Sequence, residues 1–172
     1  MNIINPFKKS ILFFTFHKCA STLFSDYVIP NIKGYIHKNP DSDIYNGKVN
    51  EDCTFTFKKN GYIYGPMRIS VSGNNSVATP IFKCYKKDLF ASEIGKMKSI
   101  FFIRDPRDML ISEYFSFKYS HGMSKNSILM EQQKKRLQFV NLNTIDEYAL
   151  SQISAYKRKF TLLTNIINLN NN

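Results

Sequence analysis

Tryptophan is absent from this chain, cysteine occurs three times, and only 7 of its 172 residues are glycine. Each scarcity excludes something. Cys19, Cys53 and Cys84 are far apart, odd in number and without a Cys-x-x-Cys pair, which argues against a disulfide framework and a cysteine zinc site. The glycine-built phosphate loop of ATPases and GTPases, Gly-x-x-x-x-Gly-Lys-Ser/Thr, is missing. No early apolar run approaches the ~20 residues that span a membrane. The longest covers residues 11–14 with Phe16 after it, and no small-residue cleavage site follows. The expectation is a chain with no membrane span and no secretory signal, in a reducing, cytoplasmic setting. Acidic residues are also few: 13 against 24 lysines and arginines leaves a net charge of +11. Such a surplus favours anionic partners, whether nucleotide, sulfated polymer, membrane surface or nucleic acid, and does not choose among them. No recognised nucleic-acid motif is present, so no nucleic-acid partner is expected. The densest basic runs, Lys134-Lys135-Arg136 and Lys157-Arg158-Lys159, read as solvated helix faces.

What is present is a length that fits one domain over residues 1–172, with an ordinary apolar fraction of 43%. Residues 10–16 and 98–103 are short, apolar and aromatic, the pattern of strands buried on both faces. A helix should open at Ser21 or Thr22 and end or kink at Pro30. Residues 31–60 read as loops with short elements, 62–68 as a short strand running into a Gly-Pro turn, and 72–76 as a loop. Another strand is expected over 81–85 and a helix over 87–96. Asp105 suits an N-cap, Pro106 the first helical position and Asp108 the first turn of a helix reaching Tyr119, in which Leu110, Tyr114 and Phe117 face the core. A further helix is expected over 126–139. Thr144 and Glu147 form a capping box that opens a last helix toward Ile167, with residues 168–172 frayed. Strands alternating with helices predict an α/β fold, a three-layer α/β/α sandwich around a mainly parallel sheet. Such sheets bind ligands beyond the carboxyl ends of their strands.

Two loops lie at such ends. The first, Phe16-His17-Lys18-Cys19-Ala20-Ser21-Thr22-Leu23, turns from strand to helix. It offers backbone amides, the Lys18 charge and two hydroxyls, Ser21 and Thr22, to a compact oxyanion. The second begins at Arg104, whose guanidinium suits a two-pronged phosphate contact, and carries Ser112 eight residues later as a hydroxyl donor. The plainer alternatives are an ordinary cap at Ser21 or Thr22, a solvated Lys18, and a salt bridge from Arg104 to Asp105 or Asp108.

Together these segments resemble the two nucleotide motifs of the sulfotransferases that use 3'-phosphoadenosine-5'-phosphosulfate (PAPS). His17-Lys18-Cys19-Ala20-Ser21-Thr22-Leu23 is similar to the family's 5'-phosphosulfate loop, and the Arg104-to-Ser112 segment to its 3'-phosphate motif. The resemblance covers residues 10–120 and leaves 121–167 as additional helix. It implies a P-loop-like fold, PAPS as donor without a metal, and an acceptor bearing a hydroxyl, on a carbohydrate or a small molecule. It also implies roles: Lys18 stabilises the leaving phosphate oxygen, residues 17–23 grip the 5'-phosphate, and Arg104 and Ser112 hold the 3'-phosphate. The family's glycine-containing basic loop near the C-terminus has no counterpart after Tyr119, so a short or C-terminally truncated member is expected. The general base stays open among Tyr85, Glu51, Asp52, His17 and His121. A nucleotide-kinase-like phosphotransferase and a non-catalytic anion-binding remnant are the alternatives.

Overall fold

The computed structural model describes residues 7–48, 56–69, 71–72, 76–77 and 95–170. The strand expected over 81–85 lies outside them, as do all but the last two residues of the helix expected over 87–96 and the centre of the loop over 72–76. So do three of the base candidates, Glu51, Asp52 and Tyr85.

Strands β1 (Ile11–Thr15), β2 (Ile36–Lys38), β3 (Tyr62–Arg68) and β6 (Lys98–Phe102) form one all-parallel sheet in the order β2-β3-β1-β6. A separate antiparallel pair joins β4 (Val71–Ser72) to β5 (Ser76–Val77). Helices cover both faces. On one side lies α1 (Ser21–Leu23), which continues without a break through a π turn at Phe24–Val28 and a 3-10 turn at Ile29–Asn31. The other elements are α2 (Pro40–Tyr45), α3 (Pro106–Tyr119), α4 (Ser127–Leu142) and α5 (Ile145–Asn170). The three-layer α/β/α arrangement expected from the alternation of elements is therefore the fold.

The pleat explains how one aromatic strand serves two cores. Successive side chains of β1 point to opposite faces. Leu12 and Phe14 join Met109 of α3 and Tyr156, Leu163 and Ile166 of α5, whereas Phe13 meets Ile29, Ile63 and Phe24 on the other side. Across the β1–β6 pair, Phe14 stacks on Phe101 at 5.2 Å and Phe13 on Phe102 at 5.5 Å. Each such pair adds about 0.5–1.5 kcal/mol beyond its buried area, so β1 and β6 are tied on both faces.

Two sequence expectations change. The Gly65-Pro66 dipeptide is not a turn: β3 runs through it, with a register shift against β1 between Leu12 and Phe14. Gly65 has φ +119°, and a Cβ there would lie 2.5 Å from Phe13 O and 2.7 Å from Met67 N. Only glycine lets the two strand backbones approach this closely. At the C-terminus α5 continues to Asn170, beyond the fraying expected from residue 168, because Ile166 and Ile167 still pack on the core. The capped ends follow local chemistry. Asp105 accepts the Arg107 N–H at 2.8 Å, and Thr144 and Glu147 form the reciprocal capping box.

Candidate anion cradle and adjoining cleft

Strands β1 and β6 are parallel neighbours that end level, Thr15 opposite Phe102. The chain leaves β1 toward the face that holds Phe24 and Ile29 and leaves β6 toward the face that holds Met109. Neighbouring strands whose connections part to opposite faces open a crevice beyond their carboxyl ends, where ligands of open α/β sheets bind. Both sequence-predicted loops therefore lie side by side at this switch point. They touch: the Arg104 backbone amide reaches the Cys19 sulfur, and Cys19 Sγ lies 3.1 Å from Met109 Sδ. Burial pushes the Cys19 thiol up, against the pull of the Phe16 and Arg104 amides. Cys19 is thus an inward anchor for the loop. The Thr15 hydroxyl, which donates to the Phe16 and Cys19 carbonyls at 3.0 and 3.4 Å, is a second anchor.

The loop's backbone is unusual. Lys18 has φ +64° and Ala20 φ +57°, left-handed values that side chains other than glycine seldom adopt. Each costs on the order of 1 kcal/mol and persists only where its surroundings enforce it. Left-handed residues alternating with right-handed ones turn successive N–H groups to one concavity, an anion nest. Ala20 is the N-cap of α1 and makes no side-chain cap hydrogen bond, so neither Ser21 nor Thr22 is a cap, and both hydroxyls remain for other partners. The Lys18 ammonium meets no hydrogen-bond or ion-pair partner among the described residues. Leu23, at the loop's end, is 53% exposed.

Arg104 follows β6. Its guanidinium is 3.5 Å from Asp108, with both side chains about half exposed, a geometry that contributes little. Helical spacing puts Asp108 and Ser112 on one face of α3, so Arg104, Asp108 and Ser112 form a column. Arg107 instead pairs with Asp105 at 2.7 Å; that hydrogen-bonded partner holds the Asp105 carboxyl down at about 2.

His17 packs against the C-terminal part of α3 and the residues just after it. Its ring stacks on Phe117 at 5.3 Å and meets the edge of His121 at 5.3 Å, and its Nδ1 is buried with no hydrogen-bond partner among the described residues. Burial, together with the charges of Arg68 and Lys18, lowers the imidazole to about 3, though Glu113 opposes the shift. His121 is lowered to about 4, again chiefly by burial. Both rings are neutral at pH 7, and neither has the pKa of an efficient base there.

Four side chains that sequence reasoning missed complete the neighbourhood. Arg68 ends β3 opposite Thr15, on the other side of the loop from Arg104, and its guanidinium has no ion-pair partner among the described residues. Its backbone amide donates to Asp41 Oδ2 at 2.5 Å. Asp41 itself lines a cleft of about 180 Å³ with Ser21, Thr22, Asn39, Tyr45 and Arg68. Behind the loop, Glu113 is 1% exposed and accepts from Arg136 at 3.1 Å and from the Tyr156 hydroxyl at 2.8 Å. Lys159, 7% exposed, lies over the Tyr156 ring. Burial by itself would raise the Glu113 carboxyl, but the Lys159 and Arg136 charges and the Tyr156 hydroxyl outweigh it and hold the group below its usual range. The two basic runs are therefore only partly solvated faces. Lys134, Lys135, Arg136, Lys157 and Arg158 are exposed, but the Arg136 guanidinium reaches the buried Glu113 carboxylate, and Lys159 is buried near it. A sequence signal for this existed: Glu113 shares the helical face of Met109 and Phe117, both core residues.

Among the described residues, no group of three or more His, Cys, Asp or Glu side chains is placed to share a metal ion, and no helix is long and apolar enough to cross a membrane. No protein-family model, curated protein or solved structure matches the chain.

Proposed function

We propose that this protein transfers a sulfuryl group from PAPS to an acceptor hydroxyl. The observation that carries the reading is the switch point. The left-handed loop, whose Lys18 has no partner among the described residues, and the Arg104–Ser112 column occupy adjacent strand ends, the arrangement that one nucleotide with phosphates at both its 5' and 3' positions requires. The resemblance of the two segments to the sulfotransferase motifs, in the same order along the chain, supports it from the sequence side.

The chemistry asks for these parts. The acceptor oxygen bonds to sulfur as the bond from sulfur to the bridging phosphate oxygen breaks, and negative charge collects on that leaving oxygen. By analogy with phosphoryl transfer the transition state is loose, so catalysis is mainly positioning and charge stabilisation. Lys18 and the loop amides supply the positive charge at the leaving oxygen, and Ser21 and Thr22 hold the 5'-phosphate. Arg104 exchanges its weak contact with Asp108 for the 3'-phosphate, with Ser112 as second donor.

Calorimetry tests the donor assignment. Adenosine 3',5'-bisphosphate should bind at least tenfold more tightly than adenosine 5'-phosphate, because a charge-assisted contact to the second phosphate is worth about 1.5–3 kcal/mol. Lys18→Ala should weaken both nucleotides, whereas Arg104→Ala should abolish the preference. Equal affinity for the two nucleotides overturns the reading.

A further inference from the structure

The cleft beside the cradle has a chemistry of its own. Ser21 and Thr22 belong to both the loop and the cleft wall, so whatever occupies the cleft lies at the 5' end of a nucleotide held by the loop. Asn39, Asp41, Ser42 and Tyr45 form the opposite wall, and Pro66 is the one lining residue without a polar side chain. Sites for flat phenols and other drug-like molecules are lined mostly by apolar and aromatic side chains and measure about 300–1,000 Å³. This cleft, at about 180 Å³, is smaller, and nine of its ten described lining residues carry a polar side chain. It suits one hydroxyl-rich ring.

Within it Asp41 is incompletely satisfied. One carboxylate oxygen, Oδ2, accepts the Arg68 amide; the other, Oδ1, is closed to solvent and has no hydrogen-bond partner among the described residues. A buried acceptor left unpaired costs about 1–3 kcal/mol, so such a group in a native fold calls for a partner that a ligand can bring.

We propose that the cleft is the acceptor site, that the acceptor is a carbohydrate hydroxyl rather than a phenol, and that Asp41 accepts its proton. This rests on the donor reading above. The acceptor hydroxyl loses its proton to Asp41 as its oxygen bonds to sulfur. The sulfur–oxygen bond to the phosphate breaks, adenosine 3',5'-bisphosphate leaves, and Asp41 returns the proton to solvent. Burial, against the pull of the Arg68 amide and charge, raises the Asp41 carboxyl to about 6, which suits a base working near neutral pH. The charged and titratable groups around it are Tyr45 on its own helix, Arg68 on β3 and Asp26 on the helical stretch after the loop.

The test uses the full chain with radiolabelled PAPS against methyl glucoside, lactose and chitobiose on one side and 4-nitrophenol and a tyrosine peptide on the other. Label should enter the sugars at least tenfold faster. Asp41→Asn retains an oxygen for the Arg68 amide and so preserves the local fold, which thermal melting checks. It should leave the affinity for adenosine 3',5'-bisphosphate within twofold, lower kcat by about 10²–10⁴ and remove the rise of kcat near pH 6. Ser42→Ala should raise KM for the sugar without moving the nucleotide affinity. If the nucleotide binds but phenols are preferred, or Asp41→Asn retains kcat and its pH profile, the inference fails while the donor reading stands. If adenosine 3',5'-bisphosphate does not bind, both fail.

Discussion

Replacing Glu113 by glutamine removes one buried charge and almost no volume, and its cost follows from what remains. The new amide oxygen would still accept the Tyr156 hydroxyl, now 2.8 Å from a carboxylate oxygen. Arg136 is 44% exposed in its side chain and turns to water. Lys159, only 7% exposed, has no such escape and loses the charge that partly offsets its burial. Breaking a buried pair from one side typically costs about 3–5 kcal/mol. Lys159 sets a ceiling near the top of that range: it can instead shed its proton, which at pH 7 costs a lysine of ordinary pKa about 5 kcal/mol. The retained Tyr156 contact and the hydrated Arg136 place the expected loss near the lower figure, about 3 kcal/mol, a fall in melting temperature of about 6–12 °C for a domain of this size. Urea unfolding at pH 7 measures it. Lys159→Met in the Glu113→Gln background should recover at least about 1.5 kcal/mol, since the orphaned charge is then gone. A loss under about 1 kcal/mol, or single and double variants that simply add, refutes the account of a paired buried network.

Gly65→Ala should destabilise by more than about 2 kcal/mol in the same assay, because its Cβ would meet the Phe13 and Met67 backbones at 2.5 and 2.7 Å, where no side chain can move aside; a neutral substitution would refute the close strand approach. Acid should weaken the fold early. The folded pKa values of His17 and His121, about 3 and about 4, lie below the unfolded value near 6.5, so the unfolded chain binds more protons between them. Stability is then fully present above about pH 6.5 and falls as pH drops toward about 4, and a melting temperature that stays flat from pH 7 to pH 5 would contradict it.

The parts of the fold legible in the sequence are those decided by neighbours along the chain. Strand β1 was readable because burial on both faces leaves an unbroken apolar run; β6 carries a similar run and forms the expected strand, but it is only partly buried, with Ile100 38% exposed, so the expected burial on both faces does not hold there. The start of α3 was readable from Asp105 and Pro106, and the start of α5 from Thr144 and Glu147, since a cap is satisfied within four residues. What was not legible depends on partners distant in sequence. Gly-Pro reads as a turn until the Phe13 carbonyl is seen against Gly65. Arg136 reads as a solvated charge until Glu113, 23 residues away, is found beneath it. Asp41 follows Asn39 and Pro40, a plain helix start, and nothing local says that Arg68, 27 residues on, takes one of its oxygens and leaves the other unfilled.

The net charge of +11 says less about function than three of the cations that make it up. Parallel pairing in the order β3-β1-β6 brings Arg68, Lys18 and Arg104 to one edge of the sheet, at or just beyond strand ends about 4.8 Å apart. Neither Arg68 nor Lys18 has an ion-pair partner among the described residues, and the partner of Arg104 is a half-exposed carboxylate at 3.5 Å. Of the acids nearby, Asp105 pairs with Arg107, Glu113 joins the buried network and Asp41 takes the Arg68 backbone amide rather than its guanidinium, which leaves Asp108 at 3.5 Å from Arg104 and Asp26 on the cleft wall with Arg68. This row of weakly paired cations, set beside a loop with left-handed residues at Lys18 and Ala20, is what the proposed phosphates would neutralise. On the proposed reading, the donor's phosphates complete that row from one side of the Lys18 loop, and Asp41 receives the acceptor's proton from the other.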